Sequence, residues 1–419
     1  MKITILTYGS RGDVQPFIPL SLGLMARGHS VKLAAPARFK SLIEEQAISF
    51  VPLAGDPAEL SRRLNDSGSN FIKMVRGLMD HAIEIGADVL LQTEEACSDA
   101  DFIIHTFMHA VGAHTLAREK NIPDLHIQLF PMFTPTGDYP NVTLPDLRLR
   151  SLNRLSHKLS RLITVWTSRM GFEQVRRRVG FPKRKLYSPF DKDTVRPRTP
   201  ILCAWSPSVI PISIDWLSNV HVTGYFFDKI DSAYQPDVEL QNFLATGDLP
   251  ICVSFGSMLN QNAKNIDRIV QESLRQTNNR GIILSGWSGL KNRSSNEILY
   301  VDAIPHHWLL PRCKMIIHHG GAGTTSAGLR AGIPNIVIPF MADQPFWGKR
   351  VKALGAGPAP LPVKKLSVVN LTRSIVESEK DAIRKRTQIL AQELTSDNGV
   401  GNCVRIIEKH SDDFLRKKL

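Results

Sequence analysis

The stretch MIIHHGGAGTTSAGLRAGIPNIVIPFMADQPFWG, from Met315 to Gly348, decides the fold. Two apolar runs within it, MIIHH and NIVIPF, have the length and composition of buried strands, and a helical pattern connects them. Strands that alternate with helices in this way form parallel sheets with helices on both faces. The stretch therefore predicts one unit of a doubly wound α/β domain.

A glycine-rich turn joins the first strand of this unit to its helix. Gly321 and Gly323 allow the backbone to approach a ligand closely, and Thr324 and Thr325 are favourable N-cap residues. A helix N-terminus carries unpaired N–H groups and a partial positive charge, so the turn predicts a diphosphate cradle, to which His319 adds a donor. The turn alone leaves open a simple strand–helix connection without a ligand. Its spacing matches neither a P-loop nor the fingerprint of dinucleotide oxidoreductases.

The same plan occurs near both ends of the chain. KITILTYGSRGDVQPFIPLSLGL, from Lys2, and LPICVSFGSMLNQ, from Leu249, each give a strand, a glycine turn and a helix. At 419 residues the chain exceeds one ordinary core, so we predict two Rossmann-like doubly wound domains facing a cleft. The predicted bounds are 1–213 for the N-terminal domain and 214–400 for the C-terminal domain. A helix at 401–419 is expected to pack back toward the first domain.

The composition is that of a globular protein, with 42% apolar and 22% charged residues, which excludes a mostly disordered chain. Five cysteines without a Cys-x-x-Cys pair argue against a disulfide framework and a structural zinc. No run of about 18 apolar residues is present, and the N-terminus has the pattern of a strand. The expected location is the cytoplasm, with membrane association left open.

Almost all of the net charge of +13 lies in one segment. Residues 148–198 contain fifteen lysines and arginines against three acidic residues. A solvated helical surface and a patch that faces anionic lipid both explain such a segment. Nucleic acid is disfavoured as a partner because no recognised nucleic-acid module accompanies the charge.

Four segments carry a family resemblance: GSRGDVQPFIPLSLGL from Gly9, SFGS from Ser254, IPHHWLLPRC from Ile304, and HHGGAGTTSAGLRAGIPNIVIPFMADQPFWGKRV from His318. Together they resemble the GT-B nucleotide-sugar glycosyltransferases, and most closely the sterol 3-beta-glucosyltransferases. The resemblance implies inverting transfer of a hexose, glucose above all, from a uridine diphosphate sugar to a hydroxyl of a hydrophobic acceptor. It also implies that the N-terminal domain binds the acceptor and that the C-terminal domain binds the nucleotide sugar.

The resemblance also implies roles for residues that match the family's motifs. Contacts to the diphosphate are expected from the glycine turn, its histidine and a serine after an earlier strand. The sugar is expected to be held by an Asp-Gln pair, and the base by a strip that follows a short strand. The expected donor-binding residues are Ser10, Arg11, Gly12, Ser257, Trp287, Ile304, His306, His319, Gly321, Gly323, Thr324, Thr325, Asp343 and Gln344.

The expected catalytic base is Asp13, where the sterol-type relatives carry Gly-Asp as this chain does. Inverting displacement needs a base beside the attacking hydroxyl, and an aspartate needs burial to become a better one. His105 and His109 lie where plant relatives place an aspartate that orients their histidine, so an Asp13–His105 pair with exchanged roles is an expectation. No metal or other cofactor is expected, because the helix N-terminus and His319 can meet the charge of the leaving diphosphate.

Three alternatives stay open. The acceptor could be a sterol or other lipid, or else a polyketide, carotenoid or other secondary metabolite. A nucleotide-sugar epimerase on the same architecture would need no acceptor. A non-catalytic partner protein is disfavoured by the presence of Asp13, His319 and the Asp343–Gln344 pair.

Overall fold

A computed structural model describes residues 1–60, 71–142, 144, 149–191, 196–227, 234–256, 263–285 and 294–417. The chain divides into two compact units, Met1–Phe227 with Asp397–Leu419, and Asp228–Ser396. Each unit has its own parallel sheet with helices packed on it. The prediction of two doubly wound α/β domains is therefore confirmed.

The first unit is built on a seven-stranded sheet with the order β3-β2-β1-β4-β5-β6-β7. Its inner strands are buried on both faces, as parallel strands between helix layers are. The strands are β1 (Lys2–Leu6), β2 (Ser30–Pro36), β3 (Ser49–Leu53), β4 (Phe102–His105), β5 (Asp124–Gln128), β6 (Ile201–Cys203) and β7 (Val220–Val222). The helices are α1 (Arg11–Val14), α2 (Phe17–Met25), α3 (Lys40–Glu44), α4 (Phe71–Ala96), α5 (Ala110–Lys120) and α6 (Arg150–Val179).

The second unit has a five-stranded sheet with the order β10-β9-β8-β11-β12. The strands are β8 (Ile251–Ser254), β9 (Gly281–Leu284), β10 (Ile298–Val301), β11 (Met315–His318) and β12 (Asn335–Val337). The helices are α7 (Val238–Ala245), α8 (Ala263–Gln276), α9 (His306–Leu309), α10 (Ala322–Arg330), α11 (Gln344–Ala353), α12 (Val368–Ser378) and α13 (Asp381–Ser396). Apolar side chains of α8 and α12 form one core with the sheet.

The C-terminal helix α14 (Gly399–Arg416) belongs to the first unit. Cys403, Val404 and Ile407 on its buried face share a core with Leu20 and Leu24 of α2. The side chain of Asn398 caps the helix by accepting a hydrogen bond from the Gly401 N–H at 3.0 Å. The helix therefore begins two residues before the predicted 401.

The boundary between the units differs from the predicted position between residues 213 and 214. The first unit continues to Phe227 because β7 pairs with β6 and forms the edge of the first sheet. The short strand has half-buried residues only, so its apolar pattern is too weak to place the boundary from the sequence.

Among the described residues, no helix has both the length and the apolar character needed to cross a bilayer.

Candidate active site

The order of the second sheet reverses between β8 and β11, which pair side by side with Ser254 opposite His318. Ligands of open α/β sheets bind in the crevice at such a reversal, beyond the carboxyl ends of the strands. Gly256 follows β8 and His319 follows β11. A Cβ at Gly256 would stand 3.7 Å from Cε1 of His319, so the two strand ends are close together.

The turn after β11 requires glycine at two positions. Gly320 has φ +91, and a Cβ there would lie 2.6 Å from Cγ1 of Val337. A Cβ at Gly321 would lie 2.5 Å from Nε2 of His319. By contrast, a Cβ at Gly323 would meet nothing within 4 Å. Gly321 therefore allows the imidazole of His319 to lie against the turn, and Gly320 allows the turn to pack against Val337.

Helix α10 has Gly321 as its N-cap, which offers no side chain to accept a hydrogen bond. The prediction that Thr324 and Thr325 cap the helix was wrong, because the helix begins earlier, at Ala322. Thr325 is buried, and its hydroxyl donates to the Gly321 carbonyl at 2.9 Å. The first N–H groups of the helix lack intrahelical acceptors. This end of α10 can therefore receive an anion.

The two histidines before the turn differ in their surroundings. His318 is wholly buried: its Nδ1 accepts from the Gly320 N–H at 3.1 Å, and its Nε2 donates to Oδ1 of Asn335 at 3.1 Å. Burial lowers the pKa of His318 to about 3. This ring therefore holds the turn in place and carries no charge.

His319 is half-buried, and burial lowers its pKa to about 4, opposed by the Ser254 backbone. Within the described part of the chain, its Nδ1 has no hydrogen-bond partner. A neutral imidazole keeps one N–H donor. His319 can therefore donate a hydrogen bond to a phosphate oxygen without adding charge.

The predicted sugar-holding pair lies beside the glycine turn. A Cβ at Gly320 would be 3.1 Å from the Gln344 carbonyl oxygen. Asp343 is the N-cap residue of α11, and its Oδ2 accepts from the Trp347 indole at 2.8 Å. Oε1 of Gln344 accepts from the backbone N–H groups of Phe340 and Met341. Both side chains thus order the loop before α11, and the amide nitrogen of Gln344 forms no bond with a described residue.

In the first unit, the order of the sheet reverses between β1 and β4. Asp13 follows β1 on the short helix α1, and its Oδ2 accepts from the backbone N–H of Ser10 at 2.7 Å and from its hydroxyl at 3.0 Å. A Cβ at Gly9 would lie 2.3 Å from the same oxygen. Burial raises the pKa of Asp13, and the two bonds from Ser10 oppose the rise.

Ser10 itself was predicted to contact the donor, and the structure gives a different arrangement. Both of its donors point to Asp13, which leaves no proton for a phosphate oxygen. Arg11 is exposed and donates to Gln15 at 2.9 Å. Gly12 is exposed, and a Cβ there would meet only the Ser10 hydroxyl, at 3.7 Å.

The expected pair between Asp13 and His105 is not found. His105 is fully buried, its Nε2 donates to Oδ2 of Asp124 at 2.9 Å, and its Nδ1 lies 3.3 Å from Nδ1 of His126. His114 contacts the same Asp124 oxygen at 2.8 Å. With both ring nitrogens engaged in the core, His105 has none left for Asp13.

Burial alone would raise the pKa of Asp124, but the His114 and His105 imidazoles hold it well below the usual carboxyl range. This cluster was not predicted from the sequence. A signal existed in β5, where polar residues alternate at Asp124, His126 and Gln128 and therefore share one face of the strand.

His105, His114 and Asp124 are also the one group among the described residues that could offer three ligands to a metal ion. The N–O distances of 2.8 and 2.9 Å are hydrogen-bond lengths. Ligands 2.0–2.1 Å from a tetrahedral zinc would stand about 3.3 Å apart. The cluster is explained by two imidazoles that donate to one buried carboxylate.

His109 is placed differently from His105. It ends a 3-10 turn, Phe107–His109, which follows β4 at the reversal of the first sheet. Its ring is buried, and its Nε2 finds no hydrogen-bond partner among the described residues. Burial lowers the pKa of His109 to about 4. It is therefore a neutral polar group at the strand end beside the one that carries Asp13.

The remaining predicted residues are distributed as follows. Ile304 is buried in the core of the second unit with Leu309 and Ile316, so only its backbone can contact a ligand. His306 is half-buried at the start of α9. Ser257 and Trp287 lie outside the described residues.

Two protein families match the chain. Residues 3–131 match the Glycosyltransferase family 28 N-terminal domain. Residues 288–409 match the Erythromycin biosynthesis protein CIII-like, C-terminal domain. The first match covers β1 to β5 with the Asp13 turn, and the second covers the glycine turn and α10.

Curated relatives extend the similarity to almost the whole chain. Two sterol 3-beta-glucosyltransferases of Arabidopsis thaliana are 34% and 33% identical over 422 and 428 residues; each match spans 98% of this chain and 68% or 66% of the relative. A sterol 3-beta-glucosyltransferase of Candida albicans is 34% identical over 427 residues, which is 97% of this chain and 27% of the relative. The chain thus spans about two thirds of the plant relatives and about a quarter of the yeast relative.

Solved structures share the fold at low identity. The glycotransferase of kitacinnamycin superposes with a TM-score of 0.71 at 18% identity, over 98% of this chain and 99% of the other. The calicheamicin glycosyltransferase CalG4 superposes with a TM-score of 0.69 at 15% identity, over 98% of each chain. These neighbours confirm the predicted GT-B fold. The 34% identity to the first plant relative, over 98% of this chain and 68% of that relative, shows that the chain is a glycosyltransferase that belongs to the sterol 3-beta-glucosyltransferase family.

Proposed function

We propose that this enzyme transfers glucose from uridine diphosphate glucose to the hydroxyl of a sterol, with inversion at the sugar carbon. The observation that carries the proposal is the 34% identity over 98% of the chain to a relative named for this acceptor and sugar. The geometry of both strand ends supports it, because each holds the groups that one half of such a reaction needs.

The donor half of the proposal rests on the turn after β11. The uncapped N-terminus of α10 would receive the diphosphate, and His319 would donate to one of its oxygens. The amide nitrogen of Gln344 is a donor for a sugar hydroxyl beside this turn. In the proposed reaction these groups stabilise the negative charge that develops on the leaving diphosphate. The transfer is therefore proposed to need no metal or other cofactor.

The acceptor half rests on Asp13. The sterol hydroxyl oxygen attacks C1 of glucose, the bond from C1 to the diphosphate oxygen breaks, and uridine diphosphate leaves with the electron pair. The hydroxyl proton passes to the Asp13 carboxylate. Burial raises the pKa of this group and makes it a stronger base, while Ser10 keeps it oriented.

The proposal includes a cytoplasmic enzyme in peripheral contact with a membrane, since a sterol is dissolved there. All five cysteines are free thiols, as expected in a reducing compartment. The basic segment supports contact with anionic lipid. A second candidate, glycosylation of a polyketide or other secondary metabolite, is favoured by the match of residues 288–409 to a domain named for erythromycin biosynthesis.

The test offers the purified chain uridine diphosphate glucose and a sterol in detergent micelles, with product detection by mass. We expect a sterol heavier by one hexose, and no product without the sterol. Parallel reactions with thymidine diphosphate glucose, with uridine diphosphate galactose and with a polyketide aglycone separate the alternatives. Transfer to the aglycone and none to the sterol would contradict the proposal.

A further inference from the structure

Helix α6 turns a polar face toward the protein. Its buried residues are Asn153, His157, Thr164 and Val175. The Asn153 amide donates to the Gly137 carbonyl at 3.0 Å, and the two nitrogens of His157 contact the carbonyls of Met132 and Tyr139 at 3.2 and 3.1 Å. Three of the four side chains that α6 buries are therefore polar, whereas a surface helix normally buries an apolar stripe.

The opposite face of α6 is apolar and exposed. Five large apolar side chains on it are between 40% and 67% exposed. They follow one another at spacings of four, three, four and four residues, which places them in a single stripe along the helix. The stripe consists of Leu155, Leu159, Leu162, Trp166 and Met170.

A loop with exposed apolar side chains lies beside the first turn of α6. Asp215 accepts from the Gly137 N–H at 2.7 Å and forms ion pairs with Arg150 and Arg154. The loop is therefore attached beside the first turn of the helix. Next to Asp215, Ile214 is 93% exposed, and Ile212 and Leu217 are exposed as well.

The helix that carries the stripe has a net positive charge, and four of its arginines are paired with carboxylates: Arg150, Arg154, Arg176 and Arg177. Helix α6 contains eight arginines and lysines and a single acidic residue, Glu173. Lys158 and Arg169 are exposed and lie on the helix beside the stripe. A second copy of the chain on this face would bring like charges together, whereas an anionic surface would neutralise them.

We infer that the outer face of α6, with the loop at Ile214, docks on the surface of an anionic lipid bilayer. The choice of a bilayer rests in part on the proposed function, because a sterol acceptor resides in one. The helix would lie flat in the interface over about 45 Å, with its leucines and Trp166 among the acyl chains and its basic residues at the headgroups. Such a surface would hold the enzyme where its acceptor is concentrated.

The test measures cosedimentation of the full chain with sterol-free vesicles of phosphatidylcholine, with and without about 30% phosphatidylserine. We expect binding to the anionic vesicles that weakens with added salt. The double variant Leu162→Ser/Trp166→Ser should bind these vesicles at least about tenfold more weakly than the wild type does. A matched control, Leu249→Ser/Val369→Ser, removes two apolar side chains of similar exposure from the second unit and should bind as the wild type does.

Absence of wild-type binding to anionic vesicles, or equal binding by both double variants, would overturn the inference. A concentration-dependent dimer that the Leu162→Ser/Trp166→Ser variant abolishes would also overturn it, in favour of a second copy on this face. Sterol glucosylation in detergent separates the two proposals. An enzyme inactive in detergent would contradict the proposed function, whereas equal activity of both double variants on vesicles and in detergent would contradict only the docking surface.

Discussion

Ser10 directs both of its donors to a single oxygen of Asp13, the backbone N–H at 2.7 Å and the hydroxyl at 3.0 Å. The pair forms one turn of chain at the carboxyl end of β1, and Gly9 leaves room for the carboxylate. Asp13 is thus oriented by its own turn, without help from His105. This arrangement leads to the first two predictions.

Replacing Asp13 by asparagine should lower kcat about 100-fold or more, because the amide keeps the shape of the side chain and loses its basicity. Binding of uridine diphosphate should stay within about twofold of the wild type, since the diphosphate site is proposed at α10. Steady-state kinetics and calorimetric titration measure the two quantities. Unchanged turnover would contradict the role of Asp13.

Replacing Ser10 by alanine should move the acid limb of the pH–rate profile to higher pH. The Ser10 hydroxyl lowers the pKa of Asp13, so its loss raises that pKa, and the base becomes protonated at a higher pH. Activity should fall most at the acid end and recover at alkaline pH. Ser10→Thr retains a hydroxyl and is the control; an identical profile for the alanine variant would show that this bond does not tune Asp13.

The glycine turn offers a matched pair of substitutions. Gly321→Ala places a Cβ 2.5 Å from Nε2 of His319, whereas Gly323→Ala meets nothing within 4 Å. We expect the first to weaken binding of uridine diphosphate about tenfold or more, because His319 must move off the turn. The second should leave the Kd nearly unchanged. Equal Kd values for the two variants would mean that His319 does not contact the diphosphate.

Acid should destabilise the protein through its buried histidines. Burial lowers the pKa of His318 to about 3 and those of His109 and His319 to about 4, while an unfolded histidine has a pKa of about 6.5. Below pH 6.5 the unfolded state therefore binds more protons than the folded state, and the free energy of unfolding falls as the pH falls.

Between about pH 6.5 and 5 the loss amounts to about 2 kcal/mol for a histidine with a folded pKa near 4. Urea denaturation at the two pH values measures it. His109→Phe removes one titrating ring and should reduce the loss by roughly that amount. A free energy of unfolding that does not change between the two pH values would refute the predicted neutral state of these rings.

The architecture was predictable because its signals are local. At Met315–Arg330 an apolar run predicts the strand, a glycine cluster predicts the turn, and a helical pattern predicts the helix. Each of these patterns spans only a few residues. The same holds for β1 and the Asp13 turn. The boundary at Phe227 and the cap at Gly321 were missed, because strand pairing and the first residue of a helix depend on the backbone path.

The candidate site was likewise predictable only where its signals are local. The sequence alone predicted that His319, Gly321 and Asp13 lie just after strands, because each follows an apolar run in the chain. Only the tertiary structure decided how the histidines are used. His105 is bound to Asp124, nineteen positions away in sequence, while His109, four residues later, keeps a nitrogen without a partner among the described residues. The periodicity of a strand tells which side chains are buried, but their partners come from other elements, whose positions are set by packing of the whole sheet.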